Sequence, residues 1–132
     1  MTSDHSLRSR RWVVAGICAM TMAVVGCGSD ESGGPGIVPA NESESATYDY
    51  VIPLGAGDAL DAGTPLEILP AELEVSVGES IRIVNNDERG HNVGPFFVGA
   101  HETLSQRFSS SGEFAGICTV HPSGEFVLVV NA

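Results

Sequence analysis

The stretch "GICTVHPSGEFVLVV", Gly116 to Val130, holds a cysteine and a histidine separated by two residues and followed by an apolar run. Cys118 and His121 carry a thiol and an imidazole, two groups that bind metal ions. The run "EFVLVV" is apolar on both faces, which is typical of a strand in the middle of a sheet. We therefore predict two strands joined by a short turn. Cys118 and His121 are then either metal ligands, or a buried structural cysteine and an unrelated histidine in the turn.

Short alternating segments continue on the N-terminal side of this stretch. "ELEVSV" places Leu73, Val75 and Val77 on one face, and "SIRIVN" alternates again after a turn at Gly78 and Glu79. "TYDYVIPL", "TLSQRF" and "EFAGIC" complete the set, and no segment has a sustained helical period. Short strands separated by Gly, Ser and Asn turns predict an all-β fold, an antiparallel Greek-key β-sandwich.

Residues 1–26 have the pattern of an export signal. A basic start (Arg8, Arg10, Arg11) precedes an apolar run that is short for a membrane span, and "SRRWVV" resembles the twin-arginine export motif. "VVGC" resembles a lipobox, which predicts that Cys27 is lipidated as the first mature residue; the alternative is an ordinary cleaved signal. We therefore expect an extracytoplasmic protein that is lipid-anchored to the cell membrane.

Residues 27–46 are rich in Gly, Ser, Pro and acids and too poor in apolar residues to form a core, so they are predicted to be a flexible tether. The folded domain is then expected to span residues 47–132. Of the three cysteines, Cys18 lies in the signal and Cys27 would carry lipid. Cys118 is left without a disulfide partner, so it is either buried and inert or held by a metal.

The net charge is −11, and the chain has no lysine. From Cys27 onward, three arginines stand against 16 carboxylates. Such a surface repels nucleic acid and anionic lipid head groups and favours basic partners. The plain alternative is that the charge serves solubility alone. We expect a monomer that binds a redox partner protein and no nucleic acid. If the charge serves recognition, that partner is basic.

Three histidines lie in the predicted domain. His91 follows the strand "IRIVNND", and His121 follows Cys118. Loops from distant parts of the chain meet at one end of a sandwich, so His91 can approach the Cys118–His121 turn. Two imidazoles and one thiolate favour copper. His101, in "VGAHETL", is interpreted as an exposed turn histidine.

The pattern "VGESIRIVNND", "GHNV" and "GEFAGICTVHPSGEFVLVV" resembles the cupredoxins, the blue copper proteins of the plastocyanin, amicyanin and azurin group. The resemblance covers about residues 69–131. It implies that His91, Cys118 and His121 bind one copper ion and that Asn92 joins the two ligand loops and shields the sulfur. It also implies an apolar collar of Phe96 and Phe97 with Pro95 and Pro122, unless the two phenylalanines are plain core residues.

One feature departs from this family. Short-loop members carry an axial methionine three residues beyond the second histidine, where this chain has Gly124. All three methionines lie in the predicted signal. The resemblance to azurin makes the Gly90 carbonyl the expected weak axial donor, and Glu125 is the competitor.

Together these features predict a membrane-tethered one-electron copper carrier rather than an enzyme. The alternative is a copper-binding protein that holds, delivers or senses the metal without an electron-transfer role.

Overall fold

Residues 36–132 are the part of the chain that the structure, a computed structural model, describes, and they form nine strands and one short helix. The predicted signal, residues 1–26, and the predicted lipid site Cys27 lie outside them. No helix of residues 36–132 is long and apolar enough to cross a membrane. In chain order the elements are β1 (Ile37–Pro39), β2 (Tyr48–Ile52), α1 (Ala56–Asp61), β3 (Glu72–Ser76), β4 (Ser80–Asn85), β5 (His91–Val93), β6 (Phe96–Val98), β7 (Thr103–Phe108), β8 (Gly112–Ile117) and β9 (Glu125–Asn131).

The strands form a sandwich of two main sheets and a small hairpin. One sheet has the order β1-β7-β4-β2, the other has the order β3-β9-β8, and β5 pairs with β6. Period-two alternation turns one face of each sheet inward, so that Leu73 and Val75 are buried while Glu72 and Glu74 are exposed. Phe108, Phe126 and Leu128 are fully buried in the core. The predicted all-β sandwich is confirmed.

The sheets are mixed rather than purely antiparallel. Four pairings are antiparallel, but β2 pairs with β4, and β3 with β9, in parallel. The parallel pair β2–β4 arises because β3, which lies in the opposite sheet, carries the chain back between them. Sequence alternation sets which residues face inward, but it does not set which strands become neighbours.

Three residues inside the predicted tether 27–46, Ile37–Pro39, form the strand β1. β1 pairs with β7, with Ile37 opposite Phe108, and Ile37 is 6% exposed. The Ala40 N–H extends this pairing by donating to the Ser105 carbonyl at 3.0 Å. Residues 37–40 are therefore part of the β1-β7-β4-β2 sheet. A single buried isoleucine and three ladder positions suffice to add a strand, and composition alone did not show them.

The two ends of the sandwich carry different parts of the chain. At one end, Gly78 N donates to Phe108 O and Ser109 N donates to Gly36 O, which places the N-terminal edge of the domain there. At the other end, Asn86 N donates to Ile52 O, and Ile68 N donates to Val120 O. We call this second end, formed by the connections 53–71, 86–90 and 118–124, the Cys118 end.

If β1 is part of the folded domain, Ile37→Ala should lower the free energy of unfolding by about 2 kcal/mol, because it empties a buried isoleucine site. Val38→Ala, at a neighbouring position that is 41% exposed, should change it by less than about 0.5 kcal/mol. Urea unfolding of both variants measures the difference. Equal stability of the two variants would show that β1 does not contribute to the stability of the folded domain.

Candidate metal centre

The strand that begins at His91 lies directly beside Cys118. Val93 and Cys118 form an antiparallel bridge, and the Gly94 N–H donates to the Ile117 carbonyl at 2.8 Å. The Thr119 N–H donates to the Asn92 carbonyl at 2.9 Å. Two segments that lie 27 residues apart in the chain are thus held together by backbone hydrogen bonds, which fix the position of the predicted cysteine ligand relative to β5.

Cys118 is free and 1% exposed. Burial raises the pKa of its thiol, and a hydrogen bond from the Val120 backbone N–H acts in the opposite direction. A buried thiol with a raised pKa remains protonated at neutral pH and is poorly reactive. To bind a metal, Cys118 would have to release this proton, since the thiolate is the ligand.

His91 is 3% exposed, and both of its ring nitrogens have partners. Nε2 lies 2.8 Å from Asp87 Oδ2, and Nδ1 lies 3.2 Å from Thr119 Oγ1. An ionised carboxylate only accepts hydrogen bonds, so Nε2 carries the proton and the neutral ring keeps its lone pair on Nδ1. This is the tautomer that a carboxylate imposes on a metal-binding histidine in many proteins.

Asp87 joins His91 to helix α1. Its carboxylate accepts hydrogen bonds from the backbone N–H groups of Gly55 at 3.0 Å and Gly57 at 2.8 Å, at the start of α1. The hydrogen bond with His91 lowers the pKa of Asp87 to about 2, aided by the N–H groups of Gly57, Gly55 and Glu88 and opposed by burial. The residue is 3% exposed, so it is a buried charge whose acceptor positions are filled by donors from two segments.

Two further residues hold this arrangement in place. Arg89 donates to Asp58 at 2.9 Å and to Asp61 at 2.7 Å, and so binds the 86–90 connection to the exposed side of α1. The buried Asn85 amide donates to the carbonyls of Arg89, Val98 and Gly99, and its oxygen accepts from the Asp87 N–H at 3.0 Å. The 86–90 connection is therefore fixed by side chains along its length.

Asn92 joins the two predicted ligand loops, but it does so through its backbone. Its carbonyl accepts from the Thr119 N–H, and its N–H donates to Thr119 Oγ1 at 3.2 Å, while the Asn92 residue is exposed. Asp87, Asn85 and Thr119 were not among the residues singled out from the sequence. The spacing of Asp87 four residues before His91 is the signal that could have found it.

His121 points toward its own turn. The Ser123 backbone N–H donates to His121 Nδ1 at 3.1 Å, and Ser123 Oγ lies 2.7 Å from the same nitrogen. The turn closes because Gly124 N donates to the His121 carbonyl at 3.0 Å and the Cys118 N–H donates to the Gly124 carbonyl at 2.9 Å. The lone pair of Nδ1 is thus occupied by Ser123.

The position of the missing methionine and the two predicted axial candidates have distinct surroundings. Gly124 has a φ of 73°, so the turn itself requires a residue that tolerates the left-handed region, and a Cβ there would meet open space. Glu125 is exposed at the start of β9. At Gly90 a side chain would collide with the Phe97 ring, so the residue has to be small for Phe97 to cover it. None of these contacts tests the axial assignment, which stays a prediction.

The other aromatic and histidine positions separate into core and surface. Phe96 is 1% exposed and belongs to the core, whereas Phe97 is 53% exposed. His101 is exposed with a φ of 59°, and its Nε2 lies 3.4 Å from Glu88. The interpretation of His101 as an exposed turn histidine is confirmed.

Within residues 36–132, no group of three or more His, Cys, Asp or Glu side chains stands close enough together to hold a metal ion. His91, Cys118 and His121 form no such group, and their assignment as ligands stays a prediction. Their donor atoms nevertheless fit copper, since one sulfur and two imidazole nitrogens are the set that a trigonal copper site uses. In both histidines the Nδ1 atom contacts a hydroxyl, of Thr119 or of Ser123. A metal would have to replace these two contacts.

No family model and no curated protein matches the chain. Among solved structures, the chain is similar to amicyanin from Paracoccus versutus (Thiobacillus versutus), with 16% identity over 73% of this chain and 98% of the other, at a TM-score of 0.47. It is also similar to a methionine-to-alanine mutant of amicyanin in the Cu(I) form, with 19% identity over 73% of this chain and 99% of the other, at a TM-score of 0.45. An oxidised proline-to-alanine mutant of amicyanin is similar with 20% identity over 72% of this chain and 91% of the other, at a TM-score of 0.44. The chemistry of this chain has to come from its own residues.

Asp87→Asn should lower the free energy of unfolding at pH 7 by about 1–3 kcal/mol, because the amide loses the charge that the His91 ring and three backbone N–H groups stabilise. The pKa of Asp87 is depressed, so its stabilising effect is present above the ordinary carboxyl pKa of 3.8 and is lost as the pH falls toward 2. The difference between wild type and variant should therefore shrink between pH 4 and pH 2, as measured by urea unfolding.

Asp49→Asn is the matched control, because Asp49 forms an exposed ion pair with Arg82 at 2.6 Å. It should cost less than about 1 kcal/mol at pH 7. A loss in Asp87→Asn no larger than that of the control would contradict the role assigned to the buried carboxylate.

Proposed function

We propose that the protein is an extracytoplasmic copper-binding protein, tethered to a membrane by lipid on Cys27, that carries one electron at a time. One copper ion would be held by His91, Cys118 and His121. The observation that carries the proposal is the buried, free thiol of Cys118 beside the strand of His91, whose ring Asp87 orients. A metal-binding histidine generally has its other ring nitrogen held by a carboxylate or carbonyl, as His91 has here.

Each residue has a defined task in this proposal. Cys118 binds as a thiolate, and the Val120 N–H supports the negative charge on its sulfur. Asp87 keeps the proton of His91 on Nε2 and leaves Nδ1 to bind. His121 would have to exchange its contact with Ser123 for the metal to complete the set. A bound copper ion would alternate between Cu(I) and Cu(II), which is one-electron chemistry without a substrate.

The axial position follows from the same residues. The chain offers no thioether in its predicted mature part, so the axial face is either empty or weakly contacted by the Gly90 carbonyl. The exposed Glu125 would have to move into a dry site, which costs several kcal/mol. The side chains that would hold the copper ion are therefore those of His91, Cys118 and His121 alone.

A second candidate function is copper holding or delivery. It is favoured by the contact between His121 and Ser123, because a ligand with an alternative hydrogen-bonding partner releases a metal more easily than one held rigidly. Electron transfer requires a ligand set that does not rearrange, whereas delivery benefits from one that opens.

The proposed tether is short. If Cys27 carries lipid, Gly28–Gly36 separate it from Ile37, the first residue of β1, a reach of at most about 32 Å when fully extended. Gly36 lies at the end of the sandwich opposite to the Cys118 end. The proposed copper site would then face away from the membrane surface, toward partners that approach from the aqueous side.

Cu(II) added to the purified chain should produce an intense thiolate-to-copper absorption band, which Cys118→Ser should abolish. His101→Ala is the matched control and should keep the band, because His101 is an exposed turn histidine. A colourless chain with a freely alkylatable Cys118 would contradict the copper proposal. Fast, reversible voltammetry of the coloured protein would support the carrier, whereas irreversible cycling with transfer of copper to a chelator would support delivery.

Cys27→Ala should move the protein from the membrane fraction to the soluble fraction, because the thiol is the proposed site of lipid attachment. Cys18→Ala, within the predicted signal, should leave it in the membrane fraction. Immunoblots of fractionated cells measure both variants. Retention of Cys27→Ala on membranes with unchanged detergent extraction would contradict the lipid anchor.

A further inference from the structure

The outer face of the β3-β9-β8 sheet has an apolar centre with glutamates around it. Strand register places Glu74, Val129 and Glu113 in one row across the three strands, and Glu72, Val127 and Ala115 in the next. Ile117 and Glu125 form the row nearest to Cys118. We call this surface the glutamate-rimmed face; it consists of Glu72, Glu74, Glu113, Glu125, Ala115, Ile117, Val127 and Val129.

The four glutamates of this face are uncompensated within residues 36–132. The chain has no lysine, and the arginines of the described domain pair with acids elsewhere: Arg82 with Asp49, Arg89 with Asp58 and Asp61, and Arg107 with Glu44. The face therefore has a negative potential that no cation of the domain reduces. The opposite sheet, which holds Arg82 and Arg107, is closer to neutral.

The apolar residues of β8 on this face are exposed to solvent. Ile117 is 67% exposed, and Ala115 beside it is exposed as well. Ala115, Ile117, Glu125 and Val127 line a shallow depression of about 330 Å³. Exposed apolar residues surrounded by polar ones are typical of protein interaction sites.

We propose that the glutamate-rimmed face docks a basic protein whose lysines or arginines surround an apolar contact. The charge of the rim would attract and orient the partner, and the apolar centre would hold it. The identity of this partner as a redox protein rests on the proposed function, but the docking itself does not depend on copper. Since β8 runs directly into Cys118, a partner seated here contacts the sheet at the strand that carries the candidate ligand.

The charge of the glutamate-rimmed face favours a basic protein over a second copy of the chain, an anionic lipid surface or a nucleic acid. Two copies of the chain joined through this face would bring eight carboxylates together without a counter-charge, and like charges across an interface are costly. Anionic lipid surfaces and nucleic acids are repelled for the same reason. A basic protein surface is the occupant that the four glutamates favour.

The test uses the full chain, in detergent micelles where it carries lipid, and a lysine-rich c-type cytochrome as the basic probe. Calorimetric titration gives the Kd at about 0.01 M and about 1 M salt, where the Debye length falls from about 30 Å to about 3 Å. We expect binding at low salt that is lost at high salt. Glu74→Gln/Glu113→Gln should weaken it about fivefold, and Ile117→Ser should weaken it by a similar factor.

Matched controls change the same charge and the same kind of apolar residue outside the face. Glu42→Gln/Glu88→Gln removes two exposed carboxylates from other connections, and Val51→Ser replaces a valine of β2 that is 50% exposed. Both should keep the Kd within about twofold, as is usual for surface positions away from an interface.

Three results would overturn the proposal. The first is the absence of binding at low salt. The second is an equal weakening by Glu42→Gln/Glu88→Gln, which would assign the binding to net charge alone. The third is a dimer of the chain that Ile117→Ser converts to a monomer. Titrations with and without Cu(II) keep this test separate from the copper proposal. Binding through the face by a chain that takes up no copper would support the docking surface and overturn only the metal site.

Discussion

The buried carboxylate of Asp87 is the group on which the Cys118 end depends. It lies 2.8 Å from His91 Nε2 and accepts the N–H groups of Gly55 and Gly57, so one negative charge organises a histidine and the start of a helix. A buried charge is tolerated because each acceptor position is filled, and its loss would leave these donors without a partner. One side chain thus fixes the tautomer of His91 and, together with Arg89, the position of α1.

The two ends of the sandwich are built by different segments of the chain. Backbone pairing of β1 with β7 joins the N-terminal edge of the domain to one end, while the connections around Asp87, Thr119 and Gly124 build the other. Charge adds a second asymmetry, because the described arginines pair with acids away from the β3-β9-β8 sheet. The N-terminal edge of the described domain, the candidate metal centre and the candidate docking face consequently occupy different parts of one small domain.

Strand alternation predicted most of the fold because burial of one sheet face is written into every second residue, as in Leu73 and Val75. It missed β1 and α1 for a related reason. β1 has one buried residue, Ile37, in a polar stretch, and α1 is a six-residue helix held by Asp87 and Arg89 from a distant connection rather than by its own periodicity. The parallel pairs were also missed, because neighbouring strands are chosen by the path of the chain between sheets.

By itself, the sequence determined the all-β class, the inward and outward face of each strand and a lone cysteine followed by a turn histidine. These are local or countable properties, set by period-two burial and by composition. Only the tertiary structure decided that Asp87 orients His91, that the Asn92 backbone holds Thr119, that His121 contacts Ser123 and that four glutamates share one face. Each of these depends on residues brought together by strand register and chain crossing, and no spacing within a single segment encodes that.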